Sequence, residues 1–553
     1  MRSKSPSVVL VALAAASLGL QPGCGYDEVD FTMLTLEPES IDPSLASGVP
    51  DSRIVRALFC GLTSSHPETL ADLPELAERW ETSEDGLTWT FHLRDAQWSD
   101  GRPVAAADFI WTYERVLDPA SESKFLDQFF VIANAEEYNR GQVTDFAEVG
   151  VRAPDAKTVV FELEAPVPFF TQLTSFAPFY PVPPHAVEER GESFWTKPGK
   201  IVTSGPFVLD EWRFRERIVM RKNPLYWDAQ SVRLNSVAAV AADSENTGFS
   251  LYETGLAEWA EKVHIPVAHL LDDLKGRPDF HITDYLGTYY ISVNTTYPPF
   301  DDPRVRRAFS LALKRDVLVE RVTRSGERPA TGFVYPDMPG YEPPRTPTIQ
   351  EDADEARRLL AEAGFPGGQG FPYVEYLYNT NERHKAIGEY LQNRWREVLG
   401  VQVELRNVEW QVYLESMRRL EHKGFARSGW IGDYLDASTF LRLMTSKAGN
   451  NYTGYANPEY DALMATALRE PDPDARLRQY QELESMVLRD LPLIPLYFYV
   501  QVKLIKPYVK GDPGNLQDKL MLKWVWVDTE LKRYWLEHGR LPPTAQAEAT
   551  ARP

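Results

Sequence analysis

The chain has 553 residues, of which 43% are hydrophobic and 25% are charged, and its formal net charge at pH 7 is −21. A chain of this length divides into two to four lobes that each bury a core. The negative charge excludes the basic surface on which nucleic-acid binding depends, so we expect no nucleic-acid partner.

The first residues have the pattern of an export signal. Arg2 and Lys4 precede an apolar run from Val8 to Leu20, which is too short to span a bilayer comfortably. We therefore predict a signal peptide at 1–23. The mature protein is expected in the cell envelope, in the periplasm or on the outer face of the cytoplasmic membrane.

Gly23-Cys24 at the end of that run resembles a bacterial lipoprotein cleavage site, where the cysteine becomes the lipidated first residue. The sequence departs from that pattern because Leu20 stands four residues before Cys24 rather than three. We expect a lipid anchor at Cys24 as the only membrane attachment, with ordinary cleavage nearby as the alternative. Cys60 is the only other cysteine in the sequence, which excludes a disulfide framework.

Hydrophobic periodicity predicts a mixed α/β chain. Strands are predicted at 31–36, 89–93, 158–163, 373–377, 401–405 and 493–505, with a hairpin at 205–227. Helices are predicted at 51–59, 105–117, 302–312, 352–363, 384–398 and 472–488. The proline-rich stretch 166–184 is a candidate crossing between lobes, with a return near residue 500. The residues from Glu537 are expected to be disordered.

The chemistry of most enzyme classes is absent from the sequence. Nine histidines and two cysteines never fall in a zinc spacing, and there is no Gly-x-Ser-x-Gly elbow, P-loop or dinucleotide-binding glycine pattern. We predict no metal, no cofactor and no catalytic residue.

The segment RSGWIGDY at 427–434 combines a cation, a large aromatic side chain and a carboxylate with small residues. An extended peptide can pair its main chain with Gly429 to Ile431 by strand addition while Asp433 receives an ammonium group. The alternative interpretation of this segment is an ordinary core strand followed by a turn.

Five further motifs carry a resemblance to a known family. They are LAERW at 76–80, DGLTWTFHLR at 85–94, WSDG at 98–101 followed by ADF at 107–109, NPLYW at 223–227, and PFDDPRVR at 299–306. With them the chain resembles the bacterial extracellular solute-binding proteins of family 5, in particular the oligopeptide-binding branch that serves ABC importers. The resemblance covers about 34–509.

The resemblance implies an α/β fold that forms a two-lobed clamp, with mixed sheets flanked by helices, an extra domain and two crossings between the lobes. The predicted units are lobe I at 27–59, 183–284 and 501–536, the extra domain at 60–182, lobe II at 285–500 and a disordered tail at 537–553. The implied function is to capture oligopeptides in a cleft and deliver them to a membrane permease. The expected partners are the ABC permease and ATPase subunits, and the receptor itself is expected to be a monomer.

The resemblance also implies roles for individual residues. Asp433 matches the carboxylate that holds the peptide's amino end. The segments that pair with the peptide main chain match Ser47, Gly48 and Val49, and Gly429, Trp430 and Ile431. The cations that meet the peptide's carboxyl end match Arg427, His384 and Arg418. The walls of the side-chain pockets match Trp111, Tyr285, Trp410, Trp430 and Tyr499.

Two departures from the family pattern concern the same cleft. Ser47 replaces an acidic residue, which alters the charge near the peptide and leaves its length and sequence preference open. The family's disulfide is missing because Gly287 and Ile431 occupy the matching positions.

Several neighbouring functions remain open. They are a receptor for murein peptides, dipeptides or a metal chelate, and a surface peptide sensor without a transport role. Asp433 favours a ligand with a free amino terminus over a nickel-type chelate. Nothing in the sequence supports an enzyme.

Overall fold

A computed structural model describes residues 29–542, apart from the side chains of Ala268 and His269. The predicted signal peptide at 1–23, Cys24 and the end of the chain from 543 lie outside the described residues. Among residues 29–542, no helix combines the length and the apolar character needed to cross a bilayer.

The strands belong to one large sheet and three small ones. They are β1 (Phe31–Thr35), β2 (Thr63–Ser65), β3 (Asp72–Pro74), β4 (Ala77–Thr82), β5 (Thr88–Leu93), β6 (Val151–Asp155), β7 (Thr158–Glu162), β8 (Phe207–Arg213), β9 (Arg217–Lys222), β10 (Ser236–Ala241), β11 (Trp259–Glu261), β12 (Phe280–Val293), β13 (Arg328–Pro329), β14 (Glu375–Asn379), β15 (Glu404–Val408), β16 (Gly424–Ile431), β17 (Leu493–Ile505), β18 (Val509–Lys510) and β19 (Trp526–Val527).

The α-helices cover the sheets and fill the connections between strands. They are α1 (Val49–Leu58), α2 (Ala106–Leu117), α3 (Leu126–Phe129), α4 (Ala135–Asn139), α5 (Phe170–Thr174), α6 (Pro184–Arg190), α7 (Glu245–Glu253), α8 (Val267–Leu274), α9 (Pro303–Leu311), α10 (Arg315–Val317), α11 (Ala353–Glu362), α12 (Glu382–Leu399), α13 (Trp410–Arg418), α14 (Ser438–Leu441), α15 (Pro458–Ala467), α16 (Pro473–Asp490) and α17 (Thr529–His538).

Side-chain caps explain where several of these helices begin. Asp302, Asp352, Asn381 and Asp472 each accept a hydrogen bond from a backbone N–H in the first turn of the helix that follows. Such caps satisfy N–H groups that have no partner inside the helix. The predicted helix starts at 302, 352 and 472 are confirmed.

One large sheet runs through both lobes, and its strand order is β15-β14-β16-β12-β17-β11-β1-β10-β9-β8, with β13 also pairing with β17. The long neighbours β12 and β17 lie antiparallel in the middle of this order. Beyond β12 lie the lobe II strands β16, β14 and β15. Beyond β17 lie the lobe I strands, which β11 joins near residue 505, and the short lobe II strand β13, which pairs near residue 498. The two long strands therefore connect the lobes.

The hydrophobic cores follow the same division. One core joins β1 and α1 to the strands and helices between 60 and 240, so lobe I and the extra domain share it. The extra domain contributes its own four-stranded sheet, in the order β4-β5-β7-β6. The two largest cores of lobe II lie around α9 and α12 and around α14 and α16. The α/β clamp predicted from the sequence is confirmed.

The predicted crossing at 166–184 is wrong. Phe169, Phe170 and Phe179 of this stretch are buried in the core that lobe I and the extra domain share. The ring of Phe169 stacks on Tyr434 of lobe II at a centroid distance of 3.8 Å. The prolines and aromatic residues therefore serve packing at the lobe interface, and β12 and β17 carry the chain across.

Two further elements differ from the prediction. Strand β15 begins at Glu404 rather than at Val401, because the buried Val401 and Val403 pack into the core of lobe II before pairing with β14 begins. At the other end, α17 continues through His538, two residues into the stretch expected to be disordered, and Gly539 with a positive φ ends it.

Candidate functional site

Strand β16 carries the segment singled out in the sequence, and part of one of its edges is open. On one side it pairs with β12 from Phe425 to Ile431. On the other side it pairs with β14 only from Gly424 to Ala426. Among residues 29–542, no strand pairs with 427–431 on that second side. Unpaired strand backbone of this kind is the template that strand addition uses.

Glycine is required at two positions beside this edge. A Cβ atom on Gly429 would collide with the hydroxyl of Tyr499, and one on Gly287 would collide with Cδ1 of Ile431. Gly287 lies directly opposite Ile431 in the β12–β16 pair. The isoleucine side chain therefore fills the space between the two positions that match the family's disulfide.

Asp433 follows β16 by two residues, at the end of the open edge. Its side chain is 26% exposed and lies 3.5 Å from Nη2 of Arg442. Burial raises the pKa of Asp433 to about 6, nearby Asp127 adds to the rise, and Arg442 opposes it. The carboxylate is therefore ionised at neutral pH, but only weakly neutralised by the protein.

The surroundings of Asp433 include residues that the sequence interpretation missed. Its backbone N–H donates to Oγ1 of Thr439 at 3.1 Å, and its carbonyl oxygen accepts from Nε2 of Gln517 at 3.0 Å. Thr439 also accepts from Nε1 of Trp430 at 3.3 Å. These contacts hold the carboxylate beside the strand. Arg442 lies nine residues further along the chain, and no local pattern indicates that it returns to Asp433.

Arg427 lies on β16, six residues before Asp433. Its Nε donates to Oδ1 of Asn379 at 2.8 Å, and its guanidinium lies 5.4 Å and 5.1 Å from the ring centres of Trp410 and Tyr413. Within the described part of the chain, no carboxylate lies at ion-pair distance from it. Arg427 is therefore a positive group held by aromatic faces and an amide, with its charge not neutralised.

His384 does not supply the predicted positive charge. Burial lowers its pKa to about 3, and the charges of Arg427 and Arg383 lower it further. Its Nδ1 lies 3.1 Å from the hydroxyl of Tyr289. The ring is therefore neutral at physiological pH, and it lies beside Arg427 as a hydrogen-bonding group.

Arg418 lies at the end of α13 and is largely exposed, with its nearest carboxylate being Glu415 at 3.8 Å. Its charge also acts on Tyr452. The structure therefore places Arg418 on the exposed surface of the helix that carries Trp410.

Ser47, Gly48 and Val49 form the start of α1. The backbone N–H groups of Ser47 and Gly48 donate to Oδ2 of Asp51 at 3.0 Å and 3.3 Å. The carbonyl oxygen of Gly48 accepts from the N–H of Ser52. These three groups therefore already have hydrogen-bond partners in the cap of α1. The pairing of 47–49 with a peptide stays a prediction. The Ser47 hydroxyl lies 3.3 Å from Nζ of Lys124.

The predicted aromatic wall divides into two groups. Trp410 is 43% exposed and stacks on Tyr413, and Tyr499 packs against Tyr289. These residues surround Arg427 on the lobe II side. Tyr285 lies on β12, where it interacts with Gln501 and Tyr499. Trp111 lies in the extra domain, where its Nε1 donates to Glu188 at 3.1 Å.

A cluster of tyrosines near Arg427 was not predicted. The hydroxyl of Tyr413 donates to the carbonyl oxygen of Arg427, and Tyr289 lies 3.4 Å from Tyr376 through their hydroxyls. Burial raises the pKa of each of these phenols above its usual value, so they stay protonated. They add neutral donors and acceptors to a pocket whose charge comes from Arg427.

The residues that the structure describes contain no group of three or more His, Cys, Asp or Glu arranged to hold a metal ion. What the site offers is an open strand edge with a carboxylate at one end, a cation towards the other, and aromatic side chains between. These groups can bind a zwitterionic, extended molecule.

A family model decides the classification. The bacterial extracellular solute-binding proteins, family 5 Middle, match residues 73–452 of the chain. The protein belongs to this family.

Relatives of this family 5 protein cover most of its length. The periplasmic oligopeptide-binding protein OppA of Escherichia coli K12 is 36% identical over 494 residues, which are 87% of this chain and 88% of that protein. Among solved structures, the murein tripeptide binding protein MppA of Escherichia coli has a TM-score of 0.76 and 34% identity, with 90% of this chain and 98% of that one covered.

A second solved structure contains a peptide. Haemophilus influenzae OppA in complex with RPPGFSPFR has a TM-score of 0.73 and 33% sequence identity, and the match covers 90% of this chain and 98% of that chain. The family 5 assignment and the two-lobed fold predicted from the sequence are thus confirmed.

Proposed function

We propose that the protein is the extracytoplasmic receptor of an ABC importer and that it binds oligopeptides between its lobes. The observation that carries the proposal is the open edge of β16 at 427–431, which lies between Asp433 and the uncompensated Arg427. The names of the OppA relatives support the ligand class. The receptor acts without catalysis and passes its ligand to permease and ATPase subunits.

The polarity of the site sets the direction of the bound peptide. With its ammonium at Asp433 and its carboxylate towards Arg427, the peptide runs antiparallel to β16. Strand residues rise about 3.3 Å each. The open edge from Arg427 to Ile431 is therefore roughly 13 Å long, and the stretch from Arg427 to Asp433 roughly 20 Å. That length accommodates an extended tri- to pentapeptide.

The recognition uses groups that all peptides share. Main-chain pairing and charge-assisted contacts to the two termini supply affinity without reading sequence. The aromatic side chains of Trp410, Trp430 and Tyr499 form walls around peptide side chains, where water adapts to different residues. The receptor is therefore tolerant of peptide sequence.

A murein peptide is the second candidate ligand, and the similarity to MppA favours it. Such a ligand also offers an amino group to Asp433. We place the receptor in the cell envelope as a monomer, held at the membrane through Cys24.

Calorimetry of the purified protein against a pool of tri- to pentapeptides tests the proposal. We expect saturable heat that is lost with amino-terminally acetylated peptides and with Asp433→Asn. Removing the carboxylate costs about 2–5 kcal/mol of binding free energy, since the ammonium is left unpaired. The exposed Asp273 on α8 gives a matched control, and Asp273→Asn keeps the wild-type affinity.

Absence of heat with every free-amine pool overturns the oligopeptide assignment. Binding to murein tripeptide alone, in the same titration format, assigns the receptor to murein peptides instead.

A further inference from the structure

A second polar cavity lies away from the open edge of β16. It has a volume of about 60 Å³ and lies between the end of α1, the extra domain and the segment 519–524. None of the residues predicted to contact the peptide lines it. Four of its lining side chains are acidic or basic: Arg56, Glu75, Lys519 and Lys523.

Two of these groups already have partners. Oε1 of Glu75 accepts from the hydroxyl of Tyr226 at 2.6 Å and from Nε1 of Trp227 at 2.8 Å. Lys523 forms an ion pair with Asp228 at 2.9 Å. Glu75 and Lys523 therefore have their polar partners within the protein.

The other two groups are cations without a carboxylate partner. Nε of Arg56 is fully buried and has no hydrogen-bond acceptor. Nζ of Lys519 has a single contact, with Oγ of Ser65 at 3.5 Å. In the part of the chain that the structure describes, no carboxylate lies at ion-pair distance from either side chain.

The pKa values of both cations show that their surroundings disfavour the charged form. Burial lowers the pKa of Lys519 to about 7, and the charge of Arg56 lowers it further, while Asp72 opposes the change. Burial also lowers the pKa of Arg56 to about 10. Both side chains are partly exposed. Because they share one cavity and have no ion-paired carboxylate, their charges repel each other, and an anion bound between them relieves this repulsion.

We propose that this cavity binds an anionic oxygen group of the carboxylate, sulfate or phosphate class between Arg56 and Lys519. Both side chains donate charge-assisted hydrogen bonds to such a group, and the Ser65 hydroxyl lies beside them. The anion is either free in solution or carried by an acidic side chain of the bound ligand. The second source rests on the proposed peptide-binding function.

Calorimetry with sulfate and with phosphate, in a chloride-free buffer and without peptide, tests the site directly. We expect saturable binding by the wild type. Arg56→Gln and Lys519→Gln should each bind at least about tenfold more weakly, since each loses a charged donor. Lys275→Gln, at an exposed position after α8, keeps the wild-type affinity. An absence of saturable binding, or equal affinity in all four proteins, overturns the proposal.

A thermal measurement keeps the test valid where a glutamine variant folds poorly. In anion-free buffer at pH 6, below the pKa of about 7 of Lys519, Lys519→Met melts at a higher temperature than the wild type, because it removes the charge that Arg56 repels. Sulfate then raises the melting temperature of the wild type more than that of the variant. Sulfate also stabilises proteins by exclusion from their surface, so an equal rise in both proteins contradicts a specific site.

Paired peptides identify the source of the anion. Peptides that contain glutamate are compared with isosteric glutamine peptides, in the wild type and in Lys519→Gln. A preference for glutamate that the variant loses assigns the site to the ligand's side chain. Saturable sulfate binding without such a preference assigns it to a free anion. If no peptide binds at all, the proposed function fails while the sulfate titration still decides the anion site.

Discussion

Arg53 and Arg56 lie one helical turn apart on α1, yet only the first has a carboxylate partner. Arg53 is fully buried and bonds both oxygens of Glu261 on β11, at 2.9 Å and 3.0 Å. Arg56 has none. The same contrast separates Lys503, which lies between two carboxylates, from Lys519, whose Nζ has a single hydroxyl contact within the described part of the chain.

Paired and unpaired cations therefore have different roles in this protein. The paired cations connect elements of the fold to one another: Arg53 joins α1 to β11, and Lys503 joins β17 to the carboxylates of Asp512 and Asp518. The unpaired cations line spaces that a ligand can enter. Arg427 in the cleft belongs to the second group, and Arg442, at 3.5 Å from Asp433, is intermediate.

Removing a paired cation gives the largest expected effect. Lys503→Met leaves Asp512 and Asp518 buried without the ammonium that now lies 3.1 Å and 2.8 Å from them. Breaking a buried ion pair from one side costs about 3–5 kcal/mol of unfolding free energy. Denaturant unfolding of the variant, with Lys275→Met as control, measures this loss. A loss below about 1 kcal/mol would show that the paired cations do not differ from the unpaired ones in their contribution to stability.

Removing Arg427 affects binding rather than stability. Arg427→Gln should cost about 1.5–3 kcal/mol of binding free energy for peptides with a free carboxylate, since a charged hydrogen bond is lost. Peptides with an amidated carboxyl end should bind the variant and the wild type alike. Calorimetry of both peptide types gives the comparison. An equal loss with amidated peptides would mean that Arg427 does not read the terminus.

The pH dependence of binding reports on Asp433. The peptide ammonium requires the ionised carboxylate, whose pKa burial raises to about 6. Affinity should therefore be constant just above neutral pH and fall about tenfold per unit as the pH drops below 6. Titrations at pH 7, 6 and 5 measure the slope. A flat profile for free-amine peptides would exclude Asp433 as the ammonium partner.

Removing the intermediate cation gives the smallest expected effect. Arg442 competes with the peptide ammonium for Asp433, but it is 32% exposed and its contact is long. Arg442→Gln should tighten binding of free-amine peptides by about 0.2–1 kcal/mol at pH 8. It should also move the pH midpoint upwards, because Arg442 lowers the pKa of Asp433. Weaker binding in the variant would show that Arg442 contacts the ligand itself.

Much of the fold could be predicted because the relevant signals are local. The strand at 493–505 has the predicted bounds, since a long β-rich run between helix and turn signals has one interpretation. The caps at Asp302 and Asp472 follow from an acidic residue before proline. Strand β15 was displaced because buried alternation at Val401 and Val403 begins before the pairing does.

The candidate site depended more on contacts that the sequence does not show. The neutral state of His384 depends on burial and on Arg427, 43 residues away. The cap at the start of α1 was within reach of the sequence, because Asp51 stands three residues after Gly48, the spacing of a capping box. The contact between Arg442 and Asp433 depends on the path of a loop, which periodicity does not predict.

The position of β17 also determines the order in which the molecule can be completed. In lobe I, β11 pairs with β1 and with the end of β17, where Trp259 lies opposite Ile505. Nearly all of lobe II lies in the chain between those partners. The sheet of the amino-terminal lobe therefore lacks one strand until residue 505 has been synthesised. Lobe II, in contrast, forms its contacts within one continuous segment of the chain. The part of the chain that is synthesised first is therefore the last to complete its fold.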